Sequence, residues 1–137
     1  MKRLCGSLVV GLLAALCSAE VLSPAAALRD SGVKGGLVVH LGCGDGALTA
    51  SLRANDSYLV HGLDSDAKNV SAARQRIAKA KLEGKVTFDV LRSASLPYTD
   101  NLVNLIVADD LGKVSSAEAM RALRPGGVLY LRKGDKW

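Results

Sequence analysis

Val38-Val39-His40-Leu41-Gly42-Cys43-Gly44-Asp45-Gly46 is an apolar run that empties into closely spaced glycines, and a second apolar run, Tyr58 to Leu63, ends at Asp64. A strand that runs into glycines lets the backbone turn tightly and approach a ligand, and it leaves the N-terminus of the next helix pointing at that ligand. An acid about 20 positions further on, at the tip of the next strand, stands where a pair of ribose hydroxyls is gripped. Strand, glycines, helix pattern and acid occur here in the required order, so the stretch reads as a nucleotide-cofactor loop rather than a structural turn.

Outward from that unit the chain alternates between strand and helix patterns. Pro24 followed by Ala25 to Leu28 reads as a short helix with proline in its first turn. Leu37 to Leu41 is too uniformly apolar for an exposed strand. Leu48 and Leu52, one turn apart, mark the helix after the glycines. Asp66 is suited to cap a helix running to about Leu82, with Val70, Ala73 and Ile77 on one face and basic residues on the other; Glu83-Gly84 ends it. Val86 to Leu91 and Leu102 to Ala108 read as strands. Ser115-Ser116-Ala117-Glu118 has the capping-box spacing and starts a helix to about Leu123. Pro125-Gly126-Gly127 then turns into a last strand, Val128 to Leu131. This alternation, with right-handed crossovers, predicts an α/β fold: a Rossmann-like three-layer sandwich whose mainly parallel sheet has about five strands.

The loop alone fits two cofactor classes, because Gly42-x-Gly44-x-x-Ala47 also satisfies the dinucleotide fingerprint and leaves an NAD-type reading open. Val86-Thr87-Phe88, Leu96-Pro97-Tyr98-Thr99-Asp100-Asn101, the strand to Ala108 and Leu123-Arg124-Pro125-Gly126-Gly127-Val128-Leu129 follow in an order that resembles the class I S-adenosylmethionine (SAM) dependent methyltransferases. The resemblance covers Val33 to about Lys133. It implies SAM as cofactor, with Gly42, Gly44 and Gly46 in the loop beneath its methionine part and Asp64 as the carboxylate for both ribose hydroxyls. Asp45 opens the helix after the loop, where a ligand contact and a helix N-terminal acid are both open readings. Arg92 falls where the family has an adenine-binding acid, which leaves Ser93 or a backbone amide as the candidate contact there, with Leu91 or Leu96 to flank the ring. His40 falls where the family usually has an acid near the cofactor's ammonium group, and Asn104 where an aspartate is common. Asp109 and Asp110, at the C-terminal end of their strand, are candidates to orient or deprotonate a methyl acceptor, with a solvated loop as the alternative. Gly32 to Gly36, His61 to Asp64, Asp66 to Val70 and Leu96 to Asn104 resemble a segment of exported bacterial proteins that continue into a quinoprotein-type β-propeller.

The start of the chain fits that setting. Lys2 and Arg3 precede an apolar stretch, Leu4 to Leu16, that is short of the ~20 residues needed to span a bilayer. Cys17-Ser18-Ala19 follows, so residues 1–19 read as a signal peptide cleaved before Glu20, with a retained membrane anchor as the alternative. Residues 20–36 form a helix and lead-in, and 37–137 a partial methyltransferase-like domain. The family's C-terminal antiparallel strand pair is missing, which reads as a piece of a longer protein with a covalently linked downstream domain, or else as a degenerate domain. The formal charge of +5 is spread along the chain and aromatic content is 4%, which gives no case for nucleic acid. Cys43 reads as a small loop residue, because no histidine–acid pair stands near it in the sequence. No metal-ligating set is evident. Two functions stay open: a SAM-dependent methyltransferase for a small-molecule or protein acceptor, and a non-catalytic module of an exported protein. An NAD-binding Rossmann module is third.

Overall fold

The computed structural model describes residues 23–132, so the expected leader lies outside the described residues. The elements run α1 (Pro24–Ser31), β1 (Gly36–Leu41), α2 (Ala47–Ser51), β2 (Tyr58–Asp64), α3 (Ala67–Lys79), β3 (Val86–Val90), β4 (Val103–Ala108), α4 (Ser116–Ala122) and β5 (Leu123–Leu131). The strands form one sheet in the order β3-β2-β1-β4-β5, and every neighbouring pair is parallel. Strand order reverses between β1 and β4, which is where open parallel sheets bind ligands beyond their C-terminal ends.

Alternating residues of each strand feed two cores, as the period of a strand requires. Val38, Val60, Val86, Phe88, Leu105 and Val107 pack under α1, α2 and α3, where Val70, Ala73 and Ile77 supply the α3 face. Val39, Leu41, Leu63, Val103 and Ile106 pack against Ala119 and Ala122 of α4. Burying a valine or isoleucine side chain contributes about 1.5–3 kcal/mol, so the interior strands are fixed from both faces. Among the described residues, no helix is long and apolar enough to cross a membrane.

The expected caps form: Asp66 accepts from the Lys68 amide and Ser115 from Glu118. Ser23 adds one the sequence reading did not name, accepting from the Ala26 amide. Three boundaries differ from the sequence expectation. The second helix is a single turn. α3 stops at Lys79, because Lys81 turns left-handed (φ 56°) before Gly84 is reached. The last strand begins at Leu123 rather than Val128: Leu123 pairs with Val103 and Val128 with Leu105, so Arg124-Pro125-Gly126-Gly127 is a bulge within β5 instead of a turn before it. A proline has no ladder donor to offer, and a bulge is one of the few places a strand tolerates it.

Glu118 does not complete the capping box. Its carboxylate instead accepts from the Leu96 amide at 2.7 Å and pairs with Arg121 at 2.6 Å. Arg121 in turn donates to the carbonyls of Tyr98 and Leu96 and to Asp100. These bonds hold Glu118 down at about pKa 2 and pin the helix-free connection from β3 to β4 onto α4. His61 ties the same connection to the sheet. Its Nε2 faces the Asp89 carboxylate, which only accepts, so the ring proton sits there and Nδ1 accepts from the Tyr98 hydroxyl. His61 is therefore structural.

Candidate functional site

The three loop glycines all have positive φ (73°, 54° and 79° for Gly42, Gly44 and Gly46), a conformation L side chains adopt rarely. Their surroundings divide them. A Cβ at Gly42 or Gly44 would meet nothing within 4 Å, whereas one at Gly46 would lie 2.7 Å from the Phe88 ring and 2.8 Å from the Ala73 Cβ. Gly46 is thus needed so that the start of α2 can sit against α3 and β3. Gly42 and Gly44 leave open space at the end of β1.

Asp64 stands across this space. The β1–β2 register carries Leu41 beside Leu63, so the loop leaves β1 next to the tip of β2. Asp64 is buried, 8% exposed as a residue. It accepts from the Gly44 amide at 3.0 Å, the Asp66 amide at 2.8 Å and the Asn69 side-chain amide at 3.3 Å. The glycine loop and the β2 acid that the sequence paired at a distance are hydrogen-bonded to each other. Asn69 was missed by sequence reasoning; its signal is a polar residue in the first turn of α3, set to face back toward the preceding acid.

Asp45 is pulled into local work. It accepts from the Ala47 amide and pairs with Arg76 of α3 at 2.8 Å, and the Ala47 bond foremost holds its carboxyl below the usual range. It serves as the acid at the start of α2, whose own cap, Gly46, has no side chain. Ser93 is exposed and exchanges hydrogen bonds with the Ser95 backbone, outside the loop–Asp64 cluster. Asp110 closes a turn by accepting from Gly112 at 2.8 Å. Asp109 lies 3.6 Å from Arg132.

His40 is buried beneath α2, with Nδ1 2.8 Å from the Thr49 hydroxyl. Burial lowers its pKa to about 4 against the opposing pull of Asp109 and Asp64, so the imidazole is neutral at pH 7. Cys43 points into the core by Gly62 and Phe88, and burial, with Asp64 nearby, raises its thiol to about 12. It is an inert packing residue, as its loop position suggested. Asn104 sits at the opposite end of the sheet: its side chain accepts from the Leu37 amide at 3.1 Å. Its difference from the family pattern therefore has no bearing on the cofactor edge. Among the described residues, no group of three or more His, Cys, Asp or Glu side chains could hold a metal ion.

Sheet order, open glycines at the switch point and an acid at the tip of β2 define a nucleotide-binding α/β domain. Residues 38–127 match the methyltransferase domain family. The chain belongs to that family. It is 32% identical over 101 residues to methyltransferase GfsG of Streptomyces halstedii, covering 69% of this chain and 36% of that protein. It is 33% identical over 105 residues to the ribosomal RNA small subunit methyltransferase C of Alcanivorax borkumensis, covering 72% and 32%. The fold is that of a SAM-dependent methyltransferase from Aquifex aeolicus, with a TM-score of 0.64 at 22% identity over 75% of this chain and 59% of that one. The chain spans about a third of the length of the curated relatives it matches.

Proposed function

We propose that this chain is the cofactor-binding domain of a SAM-dependent methyltransferase, with the cofactor across the C-terminal ends of β1 and β2. The observation that carries the reading is the pairing of open, left-handed Gly42 and Gly44 with the Asp64 carboxylate across from them. A carboxylate has about four acceptor positions, and three donors from the chain engage Asp64 here. A bidentate diol needs one position on each oxygen; the longest of the existing bonds, from the Asn69 side-chain amide at 3.3 Å, is the one to yield.

SAM supplies a methyl group already activated on a sulfonium, so the chain's task is to hold and align it rather than to perform demanding acid–base chemistry. The acceptor is a small molecule or a protein. The basic leader residues and short apolar core support an exported setting, periplasmic or extracellular; a retained leader would anchor the chain in the membrane instead. SAM is a cytoplasmic cofactor, so export favours a second reading, a non-catalytic module, and the neutral His40 at the loop supports it.

Calorimetric titration with S-adenosylhomocysteine and with NAD tests the cofactor. The demethylated SAM product is expected to bind more tightly than NAD, and Asp64→Ala to weaken it by about 1.5–3 kcal/mol, the scale of hydrogen bonds to a charged group. Tighter NAD binding, or indifference to Asp64→Ala, overturns the reading. N-terminal sequencing after cell fractionation tests the setting: the expected product starts at Glu20, and a full-length cytosolic chain contradicts export.

A further inference from the structure

The cofactor residues lie at the C-terminal edge of the sheet; the N-terminal edge holds a separate cavity of about 350 Å³, in the size range of small-molecule sites. Three parts of the chain that the sheet order brings together form its walls. They are the lead from α1 into β1 (Lys34, Gly35), Asn104 near the start of β4, and the β5 bulge (Arg124, Pro125, Gly126). No residue lining it is an acid, and Lys34 and Arg124 are cations. The acid nearest to Lys34 along the chain, Asp30, is engaged by Arg29 and the Tyr130 hydroxyl.

The side chains at this cavity offer donors that the chain itself does not use. Asn104 is oriented by its Oδ1, which accepts from the Leu37 amide at 3.1 Å. Its Nδ2 is therefore left to donate. Arg29, Arg53, Arg74, Arg76, Arg121 and Arg132 each face a carboxylate; Arg124 and Lys34 form no ion pair with a described residue. Arg124 is held where it is by the bulge, across which the ladder skips from Leu123 to Val128. Both cations are exposed, so an anion can reach them from solvent.

We propose that this cavity binds the phosphate of a small phosphomonoester. Two cations match a dianion better than they match a carboxylate, and a monoester phosphate carries about −1.5 to −2 charges at pH 7. Its oxygens suit the fork of an arginine, with lysine as a point charge and Asn104 as a neutral donor. The site shares no residue with the glycine loop or Asp64, so it stands or falls independently of the SAM reading.

The test is an NMR titration of the chain in phosphate-free buffer at constant ionic strength, with inorganic phosphate, glycerol 3-phosphate and acetate as probes. Both phosphates are expected to shift the Asn104 side-chain amide and the Gly35 and Gly126 amides in a saturable way, and acetate to bind about tenfold more weakly. Arg124→Gln should weaken both phosphates about tenfold, the scale of a lost bond between charged groups. Arg124→Lys should recover part of that loss, and Lys79→Gln, a change at an exposed cation away from the cavity, should cause none. Thermal unfolding checks that the variants fold, and Lys34→Gln gives the same readout if Arg124→Gln does not. Shifts that never saturate, shifts at Gly42 and Gly44 instead of the bulge, acetate binding as tightly as phosphate, phosphate binding without the ester, or equal losses in Arg124→Gln and Lys79→Gln each overturn the proposal. Flotation with phosphatidic acid vesicles separates a soluble ligand from a lipid headgroup: the chain is expected to stay behind, and retention on vesicles without a response to glycerol 3-phosphate rejects the small-molecule site.

Discussion

The two ends of the sheet use glycine for opposite purposes. At the N-terminal end, Gly36 is left-handed (φ 93°) and a Cβ there would lie 2.3 Å from the Asn104 side chain, which bonds the Leu37 amide. Gly35 would clash with the Ser57 carbonyl at 2.9 Å, and the Tyr58 hydroxyl donates to the Val33 carbonyl beside it at 2.8 Å. At the C-terminal end Gly42 and Gly44 are equally left-handed, but a Cβ on either would meet nothing. A glycine enclosed by neighbours reports on packing. A glycine with space around it reports on the cofactor only where the fold puts that space at the binding edge: Gly32, Gly84, Gly112 and Gly126 are as open and left-handed but lie in turns, caps or the β5 bulge, whereas Gly42 and Gly44 stand at the end of β1 beside Asp64. The difference cannot be seen in the residue type, only in what surrounds it.

Gly46 breaks the simple division by end, since it belongs to the loop yet is packed. Gly46→Val should therefore cost the most, about 2 to 4 kcal/mol of stability, from left-handed strain plus overpacking against Phe88 and Ala73; chemical denaturation measures it. The next effect separates His40 from the ligand question. Its folded pKa of about 4 lies below the ordinary 6.5, so the unfolded chain takes up the proton first as pH falls. The stability His40 confers is complete above about pH 6.5, shrinks as pH falls, and is gone near pH 4, a loss of roughly 3 kcal/mol. His40→Gln should flatten that part of the stability profile, and an unaltered slope would show that another group titrates there. Gly44→Ala sharpens the comparison at the smallest cost. With no clash to relieve, it should lower stability by only about 1 kcal/mol from backbone strain, yet weaken S-adenosylhomocysteine, because the methyl group enters the open space. A melting shift as large as that of Gly46→Val would mean that Gly44 is a packing glycine after all.

Most of the frame was legible because it is local. The strands read from uninterrupted apolar runs, Asp66 and Ser115 from cap chemistry, and the alternation from strand and helix periods. The loop and Asp64 were legible together because the β1–β2 crossover has a fixed length, which sets the acid's distance along the chain. What sequence could not show depends on residues far apart. Glu118 was expected to cap its own helix, but the Leu96 amide and Arg121 draw it away. Pro125-Gly126-Gly127 looked like a turn until β4 was seen to run alongside it. Asn104 resembled a cofactor-site departure, and only the strand direction shows that it lies at the other end of the sheet. Asp109 and Asp110 are adjacent and alike in sequence; Gly112 takes Asp110 into a turn, while Asp109 faces Arg132 just past the next strand.

Amide shifts followed by NMR while S-adenosylhomocysteine is added to the chain test the central claim most directly, because the two ends of the sheet report separately. The amides of Gly44 and Asp66, bonded to Asp64, and of Gly42, bonded to the Leu63 carbonyl beside it, are expected to move in a saturable way, while those of Gly36, Leu37 and Asn104 stay in place. Shifts confined to the Gly36–Asn104 end, or none at the glycine loop at saturating ligand, would contradict the assignment of the C-terminal edge as the cofactor site.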